Sequence, residues 1–302
     1  MSTPPNTERA YRSLHERTPH ARRRARRDAL MRTLLLVPLA VAVIPLAAIL
    51  ATVLIKGVPA LSLDFFTQAP PFSYRREGGG YLPQIFGTAY MVGIAVLLAV
   101  PLGIGAAVFI VEYRESWLTK PIRFFTDVMT GVPSIFVGLF VYSALVVDAG
   151  FGWGTLPGAV SLAVLMLPIV VRSSEEVLGL VPHDLRNAAY GLGARRWQTV
   201  VRVVLPAAAP GLATSSMLAV ARAAGETAPL LLTALGANVL ITELNGRPQT
   251  ALTLQILDEA RLALPAAVER AWAGSLTLIV MVLLFTIGAR LLARRSQVGA
   301  QE

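Results

Sequence analysis

Apolar positions along this chain gather into long blocks, not into the short alternations of amphipathic helices or strands. Runs without a charge, close to the ~20 residues a helix needs to cross a bilayer core, occupy residues 33–55, 85–111, 128–147, 149–171 and 271–289. A sixth block, residues 207–242, is broken only by Arg222 and Glu226. The pattern predicts an all-α, polytopic membrane protein with six transmembrane helices. The turn between the third and fourth runs, at residues 148–153, is very short, which predicts antiparallel neighbours.

Composition supports this reading. Of 302 residues 55% are hydrophobic and 15% charged, against about 25% charged in soluble domains, and the mean hydropathy is +0.61. The net charge of +9 could mark a nucleic-acid binder, but its distribution points to topology. Nine arginines precede the first apolar run, including ARRRARR at residues 21–27. With the N-terminus inside, inside segments hold twenty Lys and Arg against six outside. That bias predicts N-in/C-in orientation, with the basic segment in contact with anionic lipid and no nucleic-acid partner. The first apolar run is too long for a secretory signal and is expected to remain as an anchor. Three regions follow: a disordered basic cytoplasmic tail over residues 1–32, a transmembrane domain over 33–293, and a cytoplasmic tail over 294–302.

Several chemistries are excluded. Cysteine is absent, which removes disulfides, thiolate nucleophiles and cysteine-based metal sites. His15, His20 and His183 form no ligand cluster, so no metal and no cofactor are expected. An intramembrane hydrolase would need a base aligned with its nucleophile, and no histidine lies within a span. The two lysines sit in IKG (Lys56) and TKP (Lys120), so no P-loop lysine exists and ATP hydrolysis is left to another chain.

Proline and glycine punctuate the spans at Pro101, Gly131-Val132-Pro133-Ser134, Pro168 and Pro229. Most fit close packing through small residues. GVPS and the GETAP run are singled out as positions where freed backbone groups line a wet pathway, which makes Ser134 a candidate. The first outside segment, PALSLDFFTQAPPFSYRREGGGYLP, reads either as an ordered cap with a glycine tip or as a connector with interfacial aromatics. The longest inside segment, residues 181–211, predicts a short helix capped by Asp184, with Leu185, Ala188, Ala189 and Leu192 on one face. A glycine turn and a second basic helix from about Arg195 to Val204, ending before Pro206, follow. The small Ala-Ala face suits a protein groove better than a lipid surface.

Ala188-Ala189, Gly193 three residues beyond Tyr190, and Leu205-Pro206 resemble the EAA loop of bacterial ABC-importer permeases; Asn187 stands where that family usually has Glu. GVPSIFVGLF (131–140), PIVVRSSEEVLGLVPHDLRNAAYGLGA (168–194) and ARAAGETAPLLLTA (221–234) narrow the resemblance to PstA-type permeases of phosphate ABC importers. The resemblance implies a MetI-like permease fold in the bacterial inner membrane. It also implies a heterodimer with a second permease subunit, two ATP-binding subunits and an extracytoplasmic phosphate-binding protein. ATPase coupling would fall to Asn187, Ala188, Ala189 and Gly193 in loop 181–206.

Arg222 and Glu226 stand four residues apart in an apolar run, and an unpaired charge at mid-membrane costs about 2.5–3.5 kcal/mol or more. They are either a mutually neutralising staple or a site whose guanidinium takes another partner. The Arg-then-Glu order is the weaker helical arrangement, and a guanidinium fork matches phosphate oxygens. Arg172, at the inner end of the fourth run, is either a second station or a boundary charge; the resemblance gives weight to arginines at both positions. Glu226 would compete for the guanidinium and shorten anion residence. A permease for phosphonate, sulfate or molybdate is the alternative.

Overall fold

The computed structural model describes residues 19–298, with side chains over 23–288. The first part of the basic tail, with His15, and residues 299–302 lie outside the described residues. Twelve α-helices follow one another: α1 (Pro19–Ala60), α2 (Leu63–Thr67), α3 (Leu82–Glu112), α4 (Thr119–Gly131), α5 (Ser134–Val141), α6 (Thr155–Gly179), α7 (His183–Gly191), α8 (Arg196–Thr199), α9 (Leu205–Ala224), α10 (Ala228–Thr233), α11 (Leu252–Arg261) and α12 (Pro265–Val298). Within the described residues the only extended pairing is an isolated bridge between Leu235 and Gln249. The fold is all-α. The described residues up to Thr52 form one unit and those from Val53 a second; within the first, α1 is already helical from Pro19, inside the segment expected to be disordered.

Five helices are long and apolar enough to span a bilayer, and α4 with the α5 segment, bent by 109°, forms the sixth crossing. The third apolar run is therefore no straight span. Pro133 brings no N–H and drives Val132 into an extended conformation (ψ 127°), which stops α4 and restarts the chain as α5. The fourth span is shifted to Thr155–Gly179, because Gly150 and Gly152 take φ of +70° and +67° and spend the start of that apolar run on a turn. The 207–242 block also differs: α9 ends at Ala224, Gly225 to Thr227 break it, and α10 begins with Pro229 in its first turn.

Close approach fixes the core. A Cβ on Gly103 would fall 2.7 Å from Val170, and one on Gly158 2.6 Å from the Met91 sulfur. α3 and α6 thus pack in parallel and keep one register over three turns. Met91, Ala95 and Ala99 join Leu162, Met166, Val170, Ala219 and Ala223 in one cluster. Toward the inner side, Ala107 meets Leu178, Ala208 and Leu212. Leu162 shares the first cluster with Ala219 and Leu178 the second with Leu212, which makes α9 antiparallel to α6.

Candidate functional site

Depth along α9 follows from one contact. A Cβ on Gly211 would meet Val177 at 2.5 Å, so the two residues share a level. Eleven residues further, about 16 Å at 1.5 Å per residue, Arg222 comes level with Met166 at the middle of α6. Arg222 closes α9, while Glu226 lies in the break and not on a continuing helix. Arg222 Nε stands 3.7 Å from Glu226 Oε1; the arginine side chain is 63% exposed and the glutamate 15%. At that separation the charges attract but form no hydrogen bond. Thr253 of α11 donates from Oγ1 to the Glu226 carbonyl at 2.9 Å, which satisfies backbone that the break has freed.

The two broken segments meet. A Cβ on Gly138 would fall 2.6 Å from Pro229 Cα, so α5 and α10 touch backbone to backbone. α5 leads to the outer turn, and Thr233 at the end of α10 accepts from Gly154 N–H, so both short helices run outward. Ser134 therefore lies about one turn inward of the Gly138 contact, while α10 starts at Ala228, one residue before Pro229 and level with that contact. Ser134 is half-buried; its hydroxyl bonds neither arginine.

Arg172, half-exposed on α6, stands about 9 Å inward of Arg222 by helical rise. Three carboxylates surround it loosely: Glu175 at 3.7 Å, Glu176 at 3.8 Å and Asp127 of α4 at 4.0 Å. Arg123 of α4 holds Glu175 far more tightly, at 2.5 Å. Nothing in local spacing connects Glu175 to Arg123.

The inner loop forms its helix–turn–helix with two changes. Pro182, not Asp184, occupies the cap position of α7, and Asp184 sits in the first turn, where its charge suits the helix dipole. The second basic helix does not stop before Pro206. A π-helical stretch, Val200–Val204, carries it into α9 with Pro206 in the first turn, where the proline's missing donor is tolerated. Ala189 is buried, whereas Asn187, Ala188 and Gly193 are exposed, as are Leu185 and Leu192. Gly193 follows the turn with φ +82°, the left-handed conformation that glycine adopts without strain.

Residues 99–298 match the family described as binding-protein-dependent transport system inner membrane component. The phosphate transport system permease protein PstA of Haemophilus influenzae is 41% identical over 246 residues, covering 80% of this chain and 85% of that protein. PstA 1 of Mycobacterium tuberculosis H37Rv is 35% identical over 281 residues, covering 91% and 90%. The chain belongs to the PstA-type permease family. Two solved structures share its MetI-like permease fold. A bacterial alginate ABC transporter bound to its periplasmic protein matches with TM-score 0.66 at 16% identity, over 91% of this chain and 97% of that one. The inward-facing MetNI methionine ABC transporter matches with TM-score 0.59 at 19% identity, over 70% and 94%. As a PstA-type permease the chain is a multi-pass inner-membrane transport subunit.

Two buried ion pairs of this PstA-type chain escaped sequence reasoning. Arg186 of α7 reaches Glu112 at the end of α3 at 3.1 Å, and donates to the carbonyls of Val181 at 2.5 Å and Leu178 at 3.1 Å. Arg196 adds a bond to the Glu112 carbonyl and stacks over Tyr113. Together they clamp the inner loop to α3. On the outer side Glu259 of α11 is fully buried; it accepts from Arg270 at 3.2 Å, Tyr81 at 2.9 Å and Gln255 at 3.0 Å. Arg270 also donates to the carbonyls of Arg76 and Tyr74. Burial, then the Glu259 carboxylate, push the Tyr81 phenol well above the usual tyrosine range, which keeps it a donor. The first outside segment is thus an ordered cap. A faint signal existed for Glu259 and Arg270, which bracket the α11–α12 turn; none linked Glu112 to Arg186.

Proposed function

We propose that this chain is one permease subunit of an ATP-driven phosphate importer and forms half of its translocation pathway. Arg222 offers phosphate its mid-depth contact, Glu226 competes for that guanidinium, Arg172 is the next station inward, and Ser134 lines the pathway at the start of α5. The observation that carries this reading is an exposed guanidinium at mid-membrane, 3.7 Å from the only carboxylate that meets it among the described residues. A sealed staple would bury both groups at hydrogen-bond distance. Here the cation faces away from its own subunit, and a charge at that depth is stable only against water, a partner or a solute. A guanidinium suits a tetrahedral oxyanion because its donors match two oxygens at once and it keeps its charge. The competing carboxylate keeps the contact weak enough to release.

In the same reading a second permease subunit supplies the other wall. Two ATP-binding subunits dock on the inner loop through Leu185, Asn187, Ala188 and Leu192, with Gly193 setting the turn and Ala189 the packing beneath. An extracytoplasmic phosphate-binding protein docks on the outer cap. The test is uptake of labelled phosphate by proteoliposomes holding the complete complex. Arg222→Ala is expected to lower uptake by more than about tenfold, the factor that roughly 1.4 kcal/mol of barrier produces, while the subunits still co-purify. Wild-type uptake by that variant would overturn the reading. Competition by sulfate, molybdate or phosphonate as strong as that by phosphate would reassign the substrate.

A further inference from the structure

The 109° bend between α4 and α5 has a consequence for charge: it lays α4 across the inner half of α6 and delivers Arg123 and Asp127 to Arg172. Five side chains converge there, two cations (Arg123, Arg172) and three carboxylates (Asp127, Glu175, Glu176). They are not equivalent. Glu175 is 15% exposed, whereas Asp127 and Glu176 are 63% and 72% exposed, so solvent screens the latter two while the field of Glu175 acts through protein. Arg123 meets that one carboxylate with two nitrogens, Nη2 at 2.5 Å and Nε at 2.9 Å, both to Oε1. Arg172 approaches the other oxygen only to 3.7 Å.

We propose that Arg123 is a positioning residue for the inner half of the pathway, acting by neutralising Glu175 so that Arg172 stays available to a passing anion. The proposal rests on the reading of Arg172 as a pathway station. Without Arg123, Glu175 has one cation left to turn to, closes on Arg172, and withdraws it from the path. The same loss makes the cluster more negative by one charge, which opposes entry of an oxyanion. Both effects act in one direction. At the mid-depth site the geometry differs: Glu226 has the same 15% exposure but no second cation among the described residues, so it competes for Arg222 directly.

Phosphate uptake by proteoliposomes of the complete complex tests this, with maximal rate, apparent KM for the loaded binding protein and yield of co-purified complex measured for each variant. Arg123→Gln is expected to lower the maximal rate about tenfold, equivalent to roughly 1.4 kcal/mol of barrier, with KM and yield unchanged. Arg123→Lys keeps the charge and should stay near wild type. The double variant Arg123→Gln/Glu175→Gln restores the balance and should recover most of the rate. Wild-type uptake by Arg123→Gln, no recovery in the double variant, or loss of the complex in Arg123→Gln would each overturn the proposal. Arg172→Ala separates the two levels: wild-type uptake there would overturn the pathway reading beneath it, whereas inactivity there with an indifferent Arg123→Gln would overturn the positioning role alone.

Discussion

Arg186 and Arg222 carry the same guanidinium into opposite circumstances, and the difference assigns their roles. Arg186 is buried, with its nitrogens directed at a carboxylate and two carbonyls. All three of its nitrogens are engaged, and the side chain acts as a bolt between α7 and α3. Arg222 is mostly exposed with one carboxylate beyond hydrogen-bond reach, so its donors are free. Breaking a buried pair by removing one partner typically costs about 3–5 kcal/mol, because the survivor stays desolvated and unpaired. Glu112→Ala leaves Arg186 with carbonyls alone and should destabilise the inner loop by roughly that amount. The expected result is a complex whose ATPase no longer responds to the loaded binding protein, with a lower thermal midpoint. A variant with normal stimulation and an unchanged midpoint would show that Arg186 does not anchor the loop.

At the scale of elements, the breaks matter more than the spans. α5 and α10 are short, and each begins at a proline-bearing interruption; alone, helices of this length are unstable in water. Contact between them stabilises both, and Gly138 permits that contact, since its missing side chain lets Pro229 approach to backbone distance. Gly138→Val inserts a branched side chain where even a Cβ has no room, and overpacking of this kind costs about 1–3 kcal/mol. The change should push α5 from α10 and misplace Ser134 relative to Glu226, and is expected to reduce phosphate uptake while the complex still assembles; retained uptake would mean that the α5–α10 contact does not shape the pathway. The sequence revealed these interruptions as Pro and Gly in apolar runs but not their effect. Hydropathy averages over a window, so residues 128–147 and 207–242 read as spans although Pro133 redirects the first and Gly225 to Thr227 interrupt the second. Local spacing likewise revealed Arg222 and Glu226, which are four residues apart. It was blind to Arg123 with Glu175 and Glu112 with Arg186, whose partners come from different helices and meet only after folding.

Over the whole molecule, the described charges fall into layers: a buried clamp under the inner loop, a loose cluster at Arg172, an open pair at mid-depth, and a buried knot in the outer cap. On the proposed reading the two buried pairs lie at the ends, where partner proteins would push or be pushed, and the groups around Arg172 and Arg222 lie between, where a solute would pass. On that reading the ends are rigid and the middle adaptable, which is what converting docking force into a change along the pathway would require. The outer knot is the most exacting part, because Glu259 has no exposure and Arg270 is at once its counter-ion and the donor to the carbonyls of Tyr74 and Arg76. Arg270→Ala strips the charge partner from a buried carboxylate and the anchor from the 74–78 segment in one change, at a cost of about 3–5 kcal/mol by the same reasoning as for Glu112. The segment it frees contains Arg75 and Arg76, so trypsin reports its release directly: cleavage after these residues should accelerate in the variant and remain slow in the wild type. Stimulation of ATPase activity by the binding protein should fall in parallel, while basal ATPase activity persists if the inner loop is its docking site as proposed. Faster cleavage with undiminished stimulation would detach the cap from signal reception, and unchanged cleavage would show that the segment is held by contacts other than Arg270.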